Sequence, residues 1–447
     1  MRQIACAIGV IALGVMFRLS TAAAQSAGAG GSDPARGDTL RQEEVIQQVV
    51  AHNDRHRAAR YMEEAARAKV GPAGAWDDPM LMLGVVNLPT SFSFSEDMMT
   101  MKMLGLSQRI PYAGQKGLSA KAARADADAA REDRRGTVLD LVAAAKSAYV
   151  DLYYRCRTVE ELQRQHDLLE EVVQSTRSRL VANLANQEDV AAAQADVWRL
   201  ESEILSAQQE VDAAWFDLNA LRGRDIPAAL PALAVPSAPA LPDSVDPWLE
   251  AAREHFPPLQ KMRRQAESFA FSAAASRRMR WPMLDLSATY GFRQQVGMEQ
   301  PKDMVGFLAT LSLPFFSGRQ QGRMARSMQA MQMSTTAEAD QLWRDTEATL
   351  RTLHQRAVRL AASLSLYRER IISADEDAYK SAFAGYQVNR TAFIALLMYA
   401  QTIYRDRVTA NMIANELART LAEVERYTAN ADEMTATYAP EITGGER

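Results

Sequence analysis

The chain has little cysteine, few aromatic side chains and no long uninterrupted apolar run. Of its 447 residues only two are cysteine, Cys6 and Cys156. Cys6 falls within an N-terminal apolar stretch that reads as a leader, too deep in it to become the lipidated first residue of a mature chain. Cys156 is then alone, which excludes an intramolecular disulfide and leaves a helix-borne thiol best read as an inert packed side chain. Beyond the leader no run of about eighteen uncharged apolar residues occurs, so no transmembrane helix is predicted and a membrane could be crossed only with strands. Aromatics make up 7% of the chain, and with alanine abundant this favours closely packed helices over a large mixed core. A basic excess is also missing. The 51 Lys and Arg stand against 55 Asp and Glu, for a formal net charge of -4, which offers no broad cationic surface and argues against nucleic-acid binding. No phosphate loop, Ser/His/Asp set or carboxylate pair with a cleft is evident, so an enzyme reading has no residue basis and no cofactor is implied.

What the chain does have begins with Met1-Arg2-Gln3, an apolar run from Ile4 to Phe17, and the small residues Ala22-Ala23-Ala24. This is the pattern of a secretory signal peptide over 1–24, cut after Ala24. Removing Arg2 and Arg18 with it makes the remainder more acidic. Residues 25–38, rich in Gly, Ala and Ser, are expected to be flexible.

After this the chain says one thing twice, about 205 residues apart. The first copy contains Leu106-Ser107-Gln108-Arg109-Ile110-Pro111-Tyr112-Ala113-Gly114-Gln115-Lys116, the second Leu311-Ser312-Leu313-Pro314-Phe315-Phe316-Ser317-Gly318-Arg319-Gln320. In each an alternating apolar run is stopped by Pro, turned by Gly and followed by a helical pattern, as at an exit from strand to helix. A strand pair precedes each exit: Pro79 to Leu88 with Met98 to Ile110, and Leu284 to Phe292 with Val305 to Leu313, each about as long as a tilted membrane strand. Met80, Met82, Met98, Met99, Met101 and Met103 crowd the first pair; thioethers can bind Cu(I), but lipid-facing apolar side chains explain the same residues without metal. Four strands cannot close a barrel, since small outer-membrane barrels use about eight, so several chains must contribute, most simply three.

The helical segments carry alternating three-and-four spacing. Val190, Ala193, Val197, Leu200, Ile204, Ala207, Val211, Ala214, Leu218 and Leu221 form an unbroken apolar seam; the seam from Leu396 to Val424 is interrupted only by Arg407. Gln115 to Leu180 contains no Pro and reads as one helix of about 100 Å. Its return partner, Gln187 to Arg222, is half as long, and the helix predicted over Leu40 to Lys69 has the missing length, so the two are expected to stack end to end. Pro247 to Arg280 plays that part in the second copy. The expected domains are a first repeat over 39–223, a Pro-rich extended linker over 224–246, a second repeat over 247–428, and a mobile tail over 429–447. The fold class is mainly α with a small β-barrel part, a tandem repeat of strand pair plus long coiled-coil helices.

With these residues in view, the chain resembles the TolC-like outer-membrane efflux protein family over nearly all of its mature length. The matches are the doubled exit, Asp78-Pro79-Met80-Leu81 with Asn87-Leu88-Pro89, Asn186-Gln187-Glu188-Asp189-Val190, and Gly385-Tyr386-Gln387 leading into Phe393. Met99-Thr100-Met101-Lys102 followed by Leu106-Ser107-Gln108 is similar to the branch serving heavy-metal pumps. The resemblance implies a homotrimer in the outer membrane of a Gram-negative envelope: a twelve-strand barrel in lipid, continued by a twelve-helix periplasmic tunnel that docks on a periplasmic adaptor and an inner-membrane pump. It also implies periplasmic tip turns at Asn183 and Leu184 and at Asn389 and Arg390, where the family has Gly and Asn is tolerated because it enters the left-handed region readily. At the family's acidic constriction this chain carries Ala395 and Met398. The pseudo-equivalent place in the first repeat carries Asp189 beside Glu188, so a cation-attracting ring is expected from that repeat; the plainer reading is that Asp189 opens its helix.

His52 and His56 stand four apart, a spacing that lets two imidazoles face one metal. With no third ligand, two solvated helix histidines are the better reading. The function expected is a passive duct of a tripartite efflux system for heavy-metal cations. Alternatives are the outer-membrane part of type I protein secretion or drug efflux, and, from another class, a periplasmic coiled-coil scaffold without a pore.

Overall fold

The computed structural model describes residues 39–438 apart from 95, 112, 224–228, 238, 296–297 and 299–300. The signal peptide expected at 1–24, the segment 25–38 and residues 439–447 lie outside the described residues. The first repeat runs α1 (Gln42–His52), α2 (Asp54–Ala68), α3 (Val70–Gly74), β1 (Met80–Val86), β2 (Met101–Ile110), α4 (Gln115–Val181) and α5 (Gln187–Arg222). The second runs α6 (Asp246–His255), α7 (Pro257–Arg278), β3 (Met283–Arg293), β4 (Met304–Ser312), α8 (Gln321–Leu366), a π-helical turn (Tyr367–Ile371), α9 (Ile372–Gln387) and α10 (Phe393–Thr428), with α11 (Ala431–Tyr438) after it. All four expected strands are present, and they form one antiparallel sheet in the order β1-β2-β3-β4. β2 and β3, from different repeats, pair over ten residues, from Met101 opposite Arg293 to Ile110 opposite Leu284.

The exits into α4 and α8 are not copies of each other. Gly114 has φ +79 and caps α4 from the left-handed region, which a side chain there would strain. Gly318 is not left-handed; a run of turns covers 315–320 instead, and α8 starts later, at Gln321.

The short helices break where the sequence reading ran them through. Asn53 leaves the helical region (φ -70, ψ 128) and its side-chain oxygen accepts the N–H of Arg55 at 2.9 Å, so it caps α2. Its Nδ2 donates to the Leu221 carbonyl at 2.9 Å, satisfying an orphan acceptor at the end of α5. Arg222 reaches Gln48 at 2.6 Å. A Cβ on left-handed Gly223 would lie 3.1 Å from the His52 carbonyl oxygen. The end-to-end stack expected of the whole 40–69 helix is therefore built only in part: α1 lies beside the last turns of α5, with Val45 and Val49 against Trp215 and Leu218, and α2 alone carries on beyond the end of α5, with the break at Asn53 as the joint. In the second repeat Pro257 ends α6 at Phe256, because the residue before proline avoids the helical region; the Phe256 ring packs against Tyr427, near the end of α10, at 5.2 Å between centroids.

The seams are buried over most of their length, with Ile204, Ala207, Val211 and Leu221 of α5 and Leu417 of α10 half-buried. Val190, Ala193, Val197, Leu200, Ala214 and Leu218 of α5 are all buried, as are Leu396, Ala400, Ile403, Ala410, Ala414, Leu421 and Val424 of α10. One core joins α1, α4 and the end of α5 around Val45, Val49, Tyr149, Leu152 and Leu218. Another joins the repeats, packing Leu169 and Val172 of α4 and Val197 of α5 against Tyr386 of α9 and Phe393 and Leu396 of α10. Gln165 fastens this joint by donating to the Ala400 carbonyl at 3.0 Å in a buried position. Arg407, the one break in its seam, pairs with Glu376 at 2.6 Å and Glu161 at 3.5 Å, so a charge inside the helix layer has carboxylate partners on two other helices.

The expectation of a mobile tail from 429 is corrected for its described part. Asn430 accepts the N–H of Asp432 at 3.0 Å, α11 follows, Ala431 and Thr435 are buried, and Asp432 pairs with Arg135 of α4. The apolar contacts of Met434 and Tyr438 with the α1–α4–α5 core are what hold this segment. The linker is extended as expected over its described residues and lies on the first repeat. Leu40 N–H donates to the Ala232 carbonyl at 2.8 Å, and Ala234 N–H to the Leu40 carbonyl at 3.0 Å. The fully buried hydroxyl of Tyr149 lies 2.8 and 2.7 Å from the carbonyl oxygens of Leu40 and Ala234, and burial pushes its pKa up to about 12. Replacing Tyr149→Phe removes the hydroxyl donor from the Ala234 carbonyl, while the Leu40 carbonyl keeps the Ala234 N–H, a loss of about 1 kcal/mol. The variant is expected to melt lower in detergent and to be cleaved by protease within 229–245 sooner than wild type; equal cleavage would show that Tyr149 does not hold the linker.

Candidate functional site

The sheet has two chemically distinct faces, fixed by register. Leu81, Leu83, Leu104, Leu106, Phe292 and Phe307 share one face and are all exposed, by 40 to 84%. The other face carries Ser107, Asp285, Ser287, Thr289 and Thr310 together with glycines 84, 105, 291 and 306. Along β2 and β3 this second face is the more covered: Gly105, Ser107 and Gly291 are buried while Leu104, Leu106 and Phe292 beside them are exposed. A sheet with one face this apolar and the other mixing hydroxyls, charges and glycine with methionines and Leu308 fits the pattern of a membrane barrel wall, lipid outside and lumen inside.

The methionines do not lie where the sequence reading put them. Met80, Met82, Met101, Met103 and Met304 fall on the polar inner face, not the apolar outer one. The reason is glycine: Met82 stands opposite Gly105, and Met103 between Gly84 and Gly291, so each flexible side chain lies over a residue with none. Met98 and Met99 lie in the preceding loop. The guanidinium of Arg293 contacts the sulfurs of Met99 and Met304.

At the far end of the helices, Asn183 and Asn389 are both left-handed (φ 58 and 57), as the tip turns require. The two tips are tied by a residue the sequence did not single out. Arg179 donates to the Gln387 carbonyl at 2.9 Å, bonds the Asn389 side chain, and stacks over the Tyr386 ring at 4.4 Å. It is a single basic residue in the last turn of α4, with no motif around it. Leu184 and Arg390 are exposed beside it, as are Val181 and Val388.

The constriction candidates lie at the starts of the return helices. Asp189 Oδ2 accepts the N–H of Asn186 at 3.3 Å, closing the first turn of α5, so the structure gives it the helix-opening role; Glu188 is exposed. Ala395 is half-buried and Met398 is 61% exposed, bordering an open groove of about 480 Å³ with Asp196 and Gln401. His52 and His56 are not brought together. His52 is exposed, whereas His56, expected to be solvated, is buried in α2 beyond the break at Asn53 and donates from Nδ1 to the Val50 carbonyl at 2.8 Å; burial lowers its pKa. Among the described residues no group of three or more His, Cys, Asp or Glu is placed to hold a metal. Cys156 is half-buried, and burial pushes its thiol up to about 11, so it stays protonated and unreactive.

Residues 45–224, from within α1 to just past the end of α5, match the family model for outer membrane efflux proteins. The first repeat belongs to the outer membrane efflux protein family. Solved structures extend the likeness to both repeats at the level of fold. CusC, described through its folding and transmembrane channel formation, is 15% identical with a TM-score of 0.73, covering 87% of this chain and 92% of its own. The outer membrane protein VceC of Vibrio cholerae is 15% identical at 0.72, with 87% and 96% covered. The open state of the MtrE outer membrane channel of Neisseria gonorrhoeae is 17% identical at 0.73, with 88% and 89% covered. No curated protein matches the chain. An outer membrane efflux protein is a channel component rather than an enzyme, in keeping with a sequence that offers no catalytic set.

One further feature of the efflux-protein helices was not legible in sequence. The π-helical turn at Tyr367–Ile371 shifts the register of the long second-repeat helix, and directly after it Asp375 of α9 faces Asp406 of α10. Burial first, and then the neighbouring Asp406 carboxyl, raises the pKa of Asp375; Arg405 opposes the shift. A carboxyl with a raised folded-state pKa contributes stability at acid pH and loses it as pH rises through that value. Asp375→Asn is therefore expected to melt higher than wild type at pH 7.5, with the advantage vanishing near pH 4. A difference independent of pH would show that ionisation of Asp375 is not what costs stability.

Proposed function

We propose that the chain is the outer-membrane duct of a tripartite efflux system, that three copies close one barrel and one periplasmic tunnel, and that its cargo is a heavy-metal cation. The sheet carries this reading. Among the described residues it has four strands, one exposed apolar face, and edge strands β1 and β4 with no strand paired on their outer sides. In lipid such edges must be paired, and pairing β4 of one copy with β1 of the next in three copies makes a closed barrel of ordinary size. The boundaries 39–223, 224–246 and 247–428 for repeat, linker and repeat follow the elements that each copy would contribute.

On this reading the helical tips around Asn183, Leu184, Asn389 and Arg390 meet a periplasmic adaptor, through which an inner-membrane pump loads the tunnel. Glu188 and Asp189 ring the tunnel near its entrance, with Ala395 and Met398 on the alternate helices. Two acidic side chains per copy would concentrate cations there, and Asp189 can serve both its helix and the ring. The cargo assignment is supported by the run Met99-Thr100-Met101-Lys102 with Leu106-Ser107-Gln108.

Purified full-length protein in a planar bilayer is expected to conduct and to prefer cations, and Glu188→Gln with Asp189→Asn to weaken that preference. Protein that stays soluble without detergent and gives no conductance would leave only a scaffold. A deletion strain is expected to become sensitive to one or more of copper, silver, zinc, cobalt and cadmium while antibiotic tolerance holds; the opposite pattern would replace metal export with drug export.

A further inference from the structure

We infer that the methionines on the inner face of the sheet form a transient thioether path for a soft monovalent cation, Cu(I) or Ag(I), through the barrel wall's lumen. The inference rests on the duct reading and narrows its cargo. Register, not composition, carries it. Successive cross-strand rows on the inner face read Gly84–Met103–Gly291–Met304 and Met82–Gly105–Thr289–Gly306, with Met101 in the row beside them, next to Arg293. Met82 and Met103 are diagonal neighbours on adjacent strands, and Met101 and Met103 are two apart on one strand, about 7 Å. On the helix-proximal side the same face changes character to Ser107, Ser287, Arg109 and Asp285, where Arg109 lies 3.8 Å from Asp285. The thioethers are densest in the zone toward the loops that join each strand pair, and Met80, opposite Ser107, and Met283, opposite Ser312, continue them on the same face toward the helices.

Apolar burial does not account for that zone. A residue chosen for lipid would stand on the other face with Leu83, Leu104 and Phe307. Side-chain packing accounts for part of it. The glycines leave room: a Cβ at Gly105 would lie 3.0 Å from Met82 Cε, and one at Gly291 2.5 Å from Met101 Sδ. A leucine would fill the same space, and would do so without a donor atom. What distinguishes methionine is a neutral, polarisable sulfur, a ligand for Cu(I) and Ag(I) and a poor one for zinc, cobalt or cadmium without thiolate, imidazole or carboxylate partners. Among the described residues no cluster of those partners exists. Arg293 bonds the sulfurs of Met99 and Met304 and sets a positive charge at the edge of the zone, so the contacts assigned to the ion are those of Met82, Met101 and Met103. A nearby cation weakens binding there, which suits a duct: an ion must be held well enough to enter and loosely enough to leave.

The test uses full-length protein carrying Cys156→Ala, to remove the thiol, with and without Met82→Leu, Met101→Leu and Met103→Leu together, in bilayers bathed in potassium nitrate. Both proteins should conduct equally before metal is added, which shows that the leucines preserve the fold. Silver nitrate should reduce the current of the methionine protein, and the leucine protein should need about tenfold more silver for the same block, the step expected for losing one to two weak ligand contacts. Equal silver sensitivity in both, or none in either, overturns the thioether path while leaving the duct intact. Absence of any current in both proteins overturns the duct instead. In that case X-ray absorption of silver-loaded protein in detergent decides the site alone: a sulfur shell present with methionine and lost with leucine sustains it, and the same shell in both removes it.

Discussion

A β-strand edge carries a row of donors and acceptors that water can satisfy and hydrocarbon cannot. In this chain β1 and β4 are such edges, and they border a sheet whose outer face is leucine, valine and phenylalanine. The rest of the architecture answers to that constraint. Pairing β2 with β3 joins the two repeats into one sheet and removes two of the four edges that separate hairpins would have. The remaining two are consistent with closure by further copies, and each copy brings its helices along, so the number of chains in the barrel would also set the number of pillars in the tunnel.

The helices solve a second problem, which is reach. A 67-residue helix runs about 100 Å, and the 36-residue helix α5 that returns from its tip covers only about half of that. The structure divides the return into two pieces joined at capped breaks. Asn53 does this in the first repeat by capping α2 with its oxygen while its amide satisfies the end of α5. Proline and an aromatic pair do it in the second. The same mechanical task is met by different chemistry, as are the two strand-to-helix exits. Such unequal copies are where a tandem repeat acquires individual functions: the π-helical turn and the Asp375–Asp406 pair belong only to the second repeat, and Glu188 with Asp189 only to the first.

Much of this was legible in the sequence because it follows from local rules and periodicity. Strand boundaries came from alternation ended by Pro111 and Pro314, helix lengths from the three-and-four seams, and the tip turns from Asn183 and Asn389, whose side chains tolerate the left-handed region. What was misread depended on partners distant in sequence. The methionines look lipid-facing by hydropathy, and only the pairing of Met82 with Gly105 and of Met103 with Gly291 turns them inward. His56 looks solvated by its neighbours, and only the break at Asn53 buries it. The tail looked mobile because its pattern weakens after Tyr427, but Asn430, Arg135 and the core under Met434 hold a further helix.

The sequence by itself thus determined the tandem order of strands and helices, the length of each pillar and the two-faced character of the sheet, because periodicity and breakers act over a few residues. Tertiary structure alone decided which chemistry each face displays and which charges meet. Strand register, helix stacking and the Arg179 bridge between tips are choices among long-range pairings, and their energies come from contacts that no single stretch of sequence contains.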